Sequence, residues 1–150
     1  MLLTINFLQY QPLLQLSKSG ETTLIFDPIR RKNLVLTPEE LLRQLVVLYL
    51  LEGKNYNPAR LRTEMGITVN GLQKRCDIIA FDADLQPWLL VECKSPKITM
   101  SQAVMEQAAR YNLRLQVPFM AVTNGLATFS CALDYADKSY AFLEDFPDWA

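Results

Sequence analysis

The sequence predicts an α/β domain with a mixed central sheet flanked by helices, and three observations predict it. Two segments of helical spacing, 37–53 and 101–116, alternate with strand-like runs instead of being segregated from them. Three of those runs, 59–71, 72–82 and 87–94, are separated by "NG" and "DADLQP", connections short enough for hairpins. A helix the length of 101–116 between the third run and the next, 117–125, suits a crossover joining parallel strands, so both kinds of pairing are expected in one sheet.

Along the chain, residues 1–36 read as an extended N-terminal arm, with turn signals in "SKSGE" (17–21) and "FDPIRRKN" (26–33) around the short apolar run "TTLIF" (22–26). Thr37 is then the N-cap of the first helix, Pro38 its first residue, and Glu40 stands where a capping box places its acid. Leu41, Leu42, Leu45, Val46, Leu48 and Tyr49 give that helix a broad apolar face, and Gly53 ends it. The three-stranded meander follows. Ser101 caps the second helix, with Ala103, Val104, Ala108, Tyr111 and Leu115 at packing positions. "VPFMAVTNG" (117–125) is a buried strand, and 126–135 and 138–146 read as two more. The expected organisation is one domain: arm 1–36, core 37–125, C-terminal strands 126–150.

Composition narrows the chemistry. Half of the 150 residues are hydrophobic, enough for one core that removes roughly two thirds of the unfolded surface from water. Cys76, Cys93 and Cys131 are an odd set within apolar runs, which points to reduced, buried thiols and a cytoplasmic setting. There is no histidine, which removes Ser-His and Cys-His catalysis and histidine metal ligands together. A net charge of −1 neither announces nor excludes a nucleic-acid partner. The N-terminus has no basic n-region of a signal peptide, and the longest apolar window, 41–51, is interrupted by Arg43 and Gln44, so no membrane segment is expected.

What remains is carboxylate and lysine chemistry, and it gathers on two adjacent strands. Asp77 begins an apolar strand, and Glu92 and Lys94 end the next. Side chains alternate across a strand, so Glu92 and Lys94 share a face while Cys93 points away. In an antiparallel hairpin the start of one strand lies beside the end of its neighbour, which puts Asp77 opposite Glu92. Two carboxylates pushed together repel, and a hard divalent cation relieves them; a lysine alongside can stabilise charge on a phosphoryl oxygen. This is equipment for metal-dependent phosphodiester hydrolysis. The same spacing also suits a surface Glu92–Lys94 ion pair with Asp77 paired to Arg75 or Lys74.

Asp77, followed fifteen positions later by Glu92-Cys93-Lys94, resembles the PD-(D/E)xK nuclease signature, with Cys76 in the place of the variable proline. The longer runs "IFDPIRRK", "LTPEELLRQ", "KRCDIIAFD", "VECKSPK", "EQAARYN" and "VTNG" resemble the N-terminal nuclease domain of type I restriction enzyme R subunits, over roughly residues 24–125. The resemblance implies a restriction-endonuclease-like core of helix, three-stranded meander, helix and strand, with extra C-terminal strands. It implies that Asp77, Glu92 and the backbone carbonyl of Cys93 bind Mg²⁺ or Mn²⁺ and that Lys94 is catalytic. An acid on the first helix completes such sites; Glu40 is the residue expected there, with its capping role as the alternative and Glu39 as the fallback. Gln107 and Tyr111 resemble the Q-x-x-x-Y motif of some of these nucleases, although Tyr111 also suits the core.

For a DNA substrate, Arg30, Arg31, Lys32, Lys74, Arg75, Lys97, Arg110 and Arg114 are the candidate phosphate contacts, or else simply solvated charges. No G-x-x-x-x-G-K-[ST] loop accompanies the nuclease motifs. The expected function is therefore a Mg²⁺-dependent deoxyribonuclease acting alone, as a homodimer, or with a partner motor or specificity subunit. The alternatives are a catalytically inactive module that binds DNA or a partner, and an interaction protein whose charged strand end is only an ion-pair cluster.

Overall fold

Hydrophobic patterning places two helices on opposite faces of one mixed sheet. The computed structural model of the chain describes residues 1–149. Its main sheet has six strands in the order β4-β5-β6-β7-β8-β9: β4 (Leu61–Val69), β5 (Leu72–Phe81), β6 (Pro87–Cys93), β7 (Phe119–Thr123), β8 (Thr128–Asp134) and β9 (Ser139–Phe142). Neighbours are antiparallel except β6 and β7, which run parallel with Leu89 beside Phe119 and Cys93 beside Thr123. The connection between them is α2 (Gln102–Leu115), capped by the Ser101 hydroxyl, which accepts from Val104 N at 3.3 Å. The hairpin between β4 and β5 turns at Asn70 and Gly71, with φ 51° and 76°, the paired left-handed conformations that favour this dipeptide.

α1 (Pro38–Leu48) starts as expected: the Thr37 hydroxyl accepts from Glu40 N at 3.0 Å, and Pro38 fills the first turn. Its end differs, because Tyr49–Gly53 continue as one π-helical turn. Alternation along the central strands then divides the core. Ile78, Ala80, Leu89, Val91 and Ala121 pack with Leu45, Val46 and Leu50 of α1, whereas Met120 and Val122 pack with Met105 and Ala109 of α2, and Ile79 and Leu90 with Leu115 and Val117.

Two expectations about the ends are corrected. Residues 1–36 are not an extended arm. A 3₁₀ turn (Phe7–Leu13) precedes a separate three-stranded antiparallel sheet, β1 (Leu16–Ser19), β2 (Thr22–Asp27) and β3 (Lys32–Val35), in which "TTLIF" is the middle strand, paired on both sides. Leu3 also exchanges backbone hydrogen bonds with Thr128 of β8, at 2.8 and 3.0 Å. The expected strand 138–146 stops at Phe142, and Phe146 turns into the α1 side of the core because Tyr49 and Lys54 hold Asp145, at 2.7 and 3.4 Å. Ala150, the last residue of the expected C-terminal strand region, lies outside the described residues. The three thiols are free and buried, and among the described residues no helix is long and apolar enough to cross a membrane.

Candidate active site

The site grows out of one broken rung of the sheet. Between β4 and β5, Thr63 pairs with Ile78 and Met65 with Cys76, but the rung between them, Glu64 with Asp77, is missing. Glu64 is left-handed there, with φ 49°. Such a backbone costs a non-glycine residue about 1–2 kcal/mol, so the surroundings must hold it. On β5 the alternation fails at the same point: Cys76 and Ile79 both pack on the α2 side, while Ile78 faces α1. Asp77 therefore leaves the ladder. Its Oδ2 accepts from Cys93 N of β6 at 2.8 Å, standing in for a main-chain acceptor of β5, and its Oδ1 accepts from Arg43 Nη2 of α1 at 2.9 Å.

Arg43 is the hub of an acidic cluster. Its Nη2 also donates to Glu64 Oε1 at 2.9 Å and Glu39 Oε1 at 3.1 Å, and its Nη1 donates to Glu40 Oε1 at 2.6 Å. One carboxylate oxygen from each of Glu39, Glu64 and Asp77 lies within 4.8 Å of the other two. Burial works against the Arg43 charge, but the hydrogen bond it donates to Asp77 and the charges of Glu40, Asp77 and Glu64 raise its pKa above the ordinary guanidinium value.

Glu40 is placed otherwise than the sequence suggested. Its Oε1 accepts from Arg30 Nη2 (2.9 Å) and Arg43 Nη1, and its Oε2 from Arg30 Nη2 (3.1 Å) and Gln44 Nε2 (3.1 Å). Two bonds on each oxygen fill the lone-pair positions of a carboxylate, so Glu40 has nothing left for Thr37's backbone or for a cation. Arg30 is fixed in turn by Asp27 at 2.7 Å, and Thr63 Oγ1 donates to the same carboxylate at 2.7 Å. Burial raises the Asp27 pKa, but the Thr63 and Arg30 hydrogen bonds outweigh it and hold the group below its usual range. The acid of α1 that turns to Asp77's neighbourhood is Glu39, whose side chain is 66% exposed and free on one oxygen.

Glu92 and Lys94 share a face as expected, with Lys94 Nζ 3.0 Å from Glu92 Oε1 and both side chains about one-third exposed. Asp77 and Glu92 line one cleft with Lys74, Arg75 and Asn112. A second depression brings Lys94 beside Glu39 and Cys93. Cys93 turns its thiol into the core, where burial and then the Asp77 charge push its pKa well up. Asn112 is 5% exposed; its Nδ2 donates to Ala108 O at 2.7 Å, while its Oδ1 has no partner although it belongs to this polar cleft. A buried acceptor of this kind calls for a water or another donor.

On α2, Gln107 is exposed, and Tyr111 donates to Gln73 O at 2.8 Å beneath Lys74, whose Nζ is 5.0 Å from the ring centroid. Of the basic residues, Arg30 is committed to Asp27 and Glu40, and Arg75 bonds Glu64 Oε2 at 3.0 Å from a largely exposed position. Arg31, Lys32, Lys97, Arg110 and Arg114 are exposed, Arg110 in a separate groove with Lys138 and Tyr140. Glu64 and Asn112 had no signal in the sequence, and Arg43 showed there only as a polar break in an apolar window. Only the broken rung and the helix positions bring them together.

The donor set suits a hard divalent cation. Asp27, Glu39, Glu40, Glu64 and Asp77 are five carboxylates joined by ion pairs to three guanidiniums, Arg30, Arg43 and Arg75, which leaves two formal negative charges on the network. The chain matches the family described as "Type I restriction enzyme R protein N terminus" over residues 38–147. No curated protein matches the chain.

Proposed function

Because the chain belongs to the family of the type I restriction enzyme R protein N terminus, we propose that it is a metal-dependent deoxyribonuclease of the PD-(D/E)xK type, with a restriction-endonuclease-like core. The observation that carries this reading is the convergence of Asp77, Glu64 and Glu39 within 4.8 Å of one another, with Asp77 sharing a cleft with Glu92 and Glu39 a depression with Lys94. Asp77 and Glu92, with the Cys93 carbonyl, would hold Mg²⁺ or Mn²⁺, and Glu39 and Glu64 would join them in the place first given to Glu40. When bound, the cation supplies a Lewis acid for the phosphoryl oxygen and acidifies a water.

The chain's own residues do the rest. Asp77 is fixed by the Cys93 N–H, so it meets its ligand already oriented. Lys94 is anchored at its backbone, where its N–H donates to Thr123 O at 2.7 Å, while its ammonium remains partly open to solvent. It donates to the phosphoryl oxygen on which negative charge develops. Arg31, Lys32, Lys74, Arg75, Lys97, Arg110 and Arg114 are the residues left to contact the DNA backbone; Tyr111 lies under Lys74, which lines the cleft, and Gln107 stands one helical turn before it. Cutting both strands would call for a second copy of the chain or for a partner motor or specificity subunit.

A cleavage panel over supercoiled, linear, single-stranded and branched DNA with Mg²⁺ and Mn²⁺, run beside Asp77→Ala and Lys94→Ala, tests the proposal. Metal-dependent cleavage by the wild-type chain that disappears in both variants is expected. A folded wild-type chain that cuts none of these substrates with either metal refutes it.

A further inference from the structure

Arg43 presents an imbalance that the proposed chemistry does not use. Its Nη2 carries two hydrogens yet faces three carboxylate oxygens, Glu39 Oε1, Glu64 Oε1 and Asp77 Oδ1, at 3.1, 2.9 and 2.9 Å. Its Nε, by contrast, is buried with no partner. The side chain is only 4% exposed, so it is shut off from bulk water. Nη2 thus sits where negative charge concentrates, not where the guanidinium would satisfy the most donors.

That point is also the place a small cation would want. A divalent ion bound by these three acids draws oxygens to about 2.1 Å for Mg²⁺, and the lone pairs it uses are those now turned to Nη2. The guanidinium and the ion carry the same sign of charge, and their repulsion in a buried site is strong. Resting on the metal reading above, we propose that Arg43 is the resident counter-ion of this cluster: it holds Glu39, Glu64 and Asp77 together before a divalent cation arrives, and it withdraws Nη2 when the cation enters. The Nη1 bond to Glu40 at 2.6 Å is the pivot of that movement, since Glu40 lies outside the three converging acids. The unpartnered Nε is the donor that gains from it. Arg43 is therefore a positioning residue, and its cost is paid in metal affinity.

Calorimetric titration with Mn²⁺ and Mg²⁺ of the wild-type chain, Arg43→Gln, Arg43→Lys and Asp77→Asn tests this. Removing the positive charge in Arg43→Gln is expected to tighten Mn²⁺ binding about tenfold or more, Arg43→Lys to stay near the wild type, and Asp77→Asn to abolish binding. A merely structural role predicts the opposite sign, because damage to the cluster weakens binding. Unchanged or weaker binding in a folded Arg43→Gln, with Asp77→Asn still null, overturns the inference and leaves the metal site standing; absence of binding in the wild type overturns both. Should Arg43→Gln not fold, side-chain ¹⁵N spectra of the wild-type chain decide. The Nη signals of Arg43, held by ion pairs without metal, should change on Mg²⁺ saturation while those of Arg30 do not, and signals of Arg43 that ignore saturating Mg²⁺ refute the proposal.

Discussion

Glu40→Gln separates a structural carboxylate from a metal ligand. In the wild type, Glu40 is 7% exposed and accepts four hydrogen bonds, two from Arg30 and one each from Arg43 and Gln44. The glutamine amide keeps one oxygen and turns an NH₂ toward donors, so at least one guanidinium contact becomes donor against donor, and a buried negative charge between two cations is gone. Breaking a buried ion pair from one side costs about 3–5 kcal/mol. Arg30 retains Asp27, and Arg43 retains Glu39, Glu64 and Asp77, so the lower end, about 3 kcal/mol, applies here. For a chain of 150 residues, each 1 kcal/mol moves Tm by about 2–4 °C, which gives a fall of about 6–12 °C. Thermal melts by circular dichroism measure it, and Mn²⁺ titration of the same protein below its Tm should give an affinity near that of the wild type. A Glu40→Gln chain that melts within about 2 °C of the wild type but no longer binds Mn²⁺ would refute the reasoning and restore Glu40 as a ligand.

Glu39→Gln should do the reverse: Mn²⁺ affinity falls about tenfold, while Tm stays within a few degrees, because its exposed pair with Arg43 is worth at most about 1 kcal/mol; equal affinity in calorimetry removes Glu39 from the site. Lys94→Ala should lower the cleavage rate about 100-fold or more with no loss in urea stability beyond about 1 kcal/mol, and a variant that cuts at the wild-type rate excludes a catalytic Lys94. Asp27 is the acid-sensitive group of the network. Its folded pKa lies below the ordinary 3.8, so its contribution is full above that value and is lost as pH falls through the folded pKa. Tm should therefore drop on acidification below about pH 4, and Asp27→Asn should be less stable at neutral pH with a shallower acid limb; parallel Tm–pH curves for the two proteins would contradict this.

Most of the core was legible because its signals are local. "NG" at 70–71 demands two left-handed residues and received them, and Thr37 with Pro38 marks a helix start whatever packs around it. The crossover between β6 and β7 follows from helix length alone. The N-terminal sheet was hidden because β1 and β3 are four residues each, too short for alternation to show, and they exist only by pairing with β2. The surroundings of Glu40 were hidden for a related reason. Arg43 and Gln44, three and four residues after Glu40, were in plain view as helix partners, but Arg30 reaches Glu40 only after the β2–β3 turn has formed. Glu64 was invisible for another: nothing in "RTEMG" foretells a left-handed glutamate, since the long-range pull of Arg43 and Arg75 is what holds it there.

The carboxylate of Asp77 closes a main-chain hydrogen bond in β6 as well as facing Arg43. Folding and the proposed metal binding thus fall on the same two oxygens, and an experimenter who removes them unties a strand end along with any ligand. For a chain meant to seize DNA without cutting it, as in trapping a complex for structure determination, Lys94 is the better residue to change, since its ammonium pairs with Glu92 and not with the backbone of a strand among the described residues, and its loss leaves every strand joined.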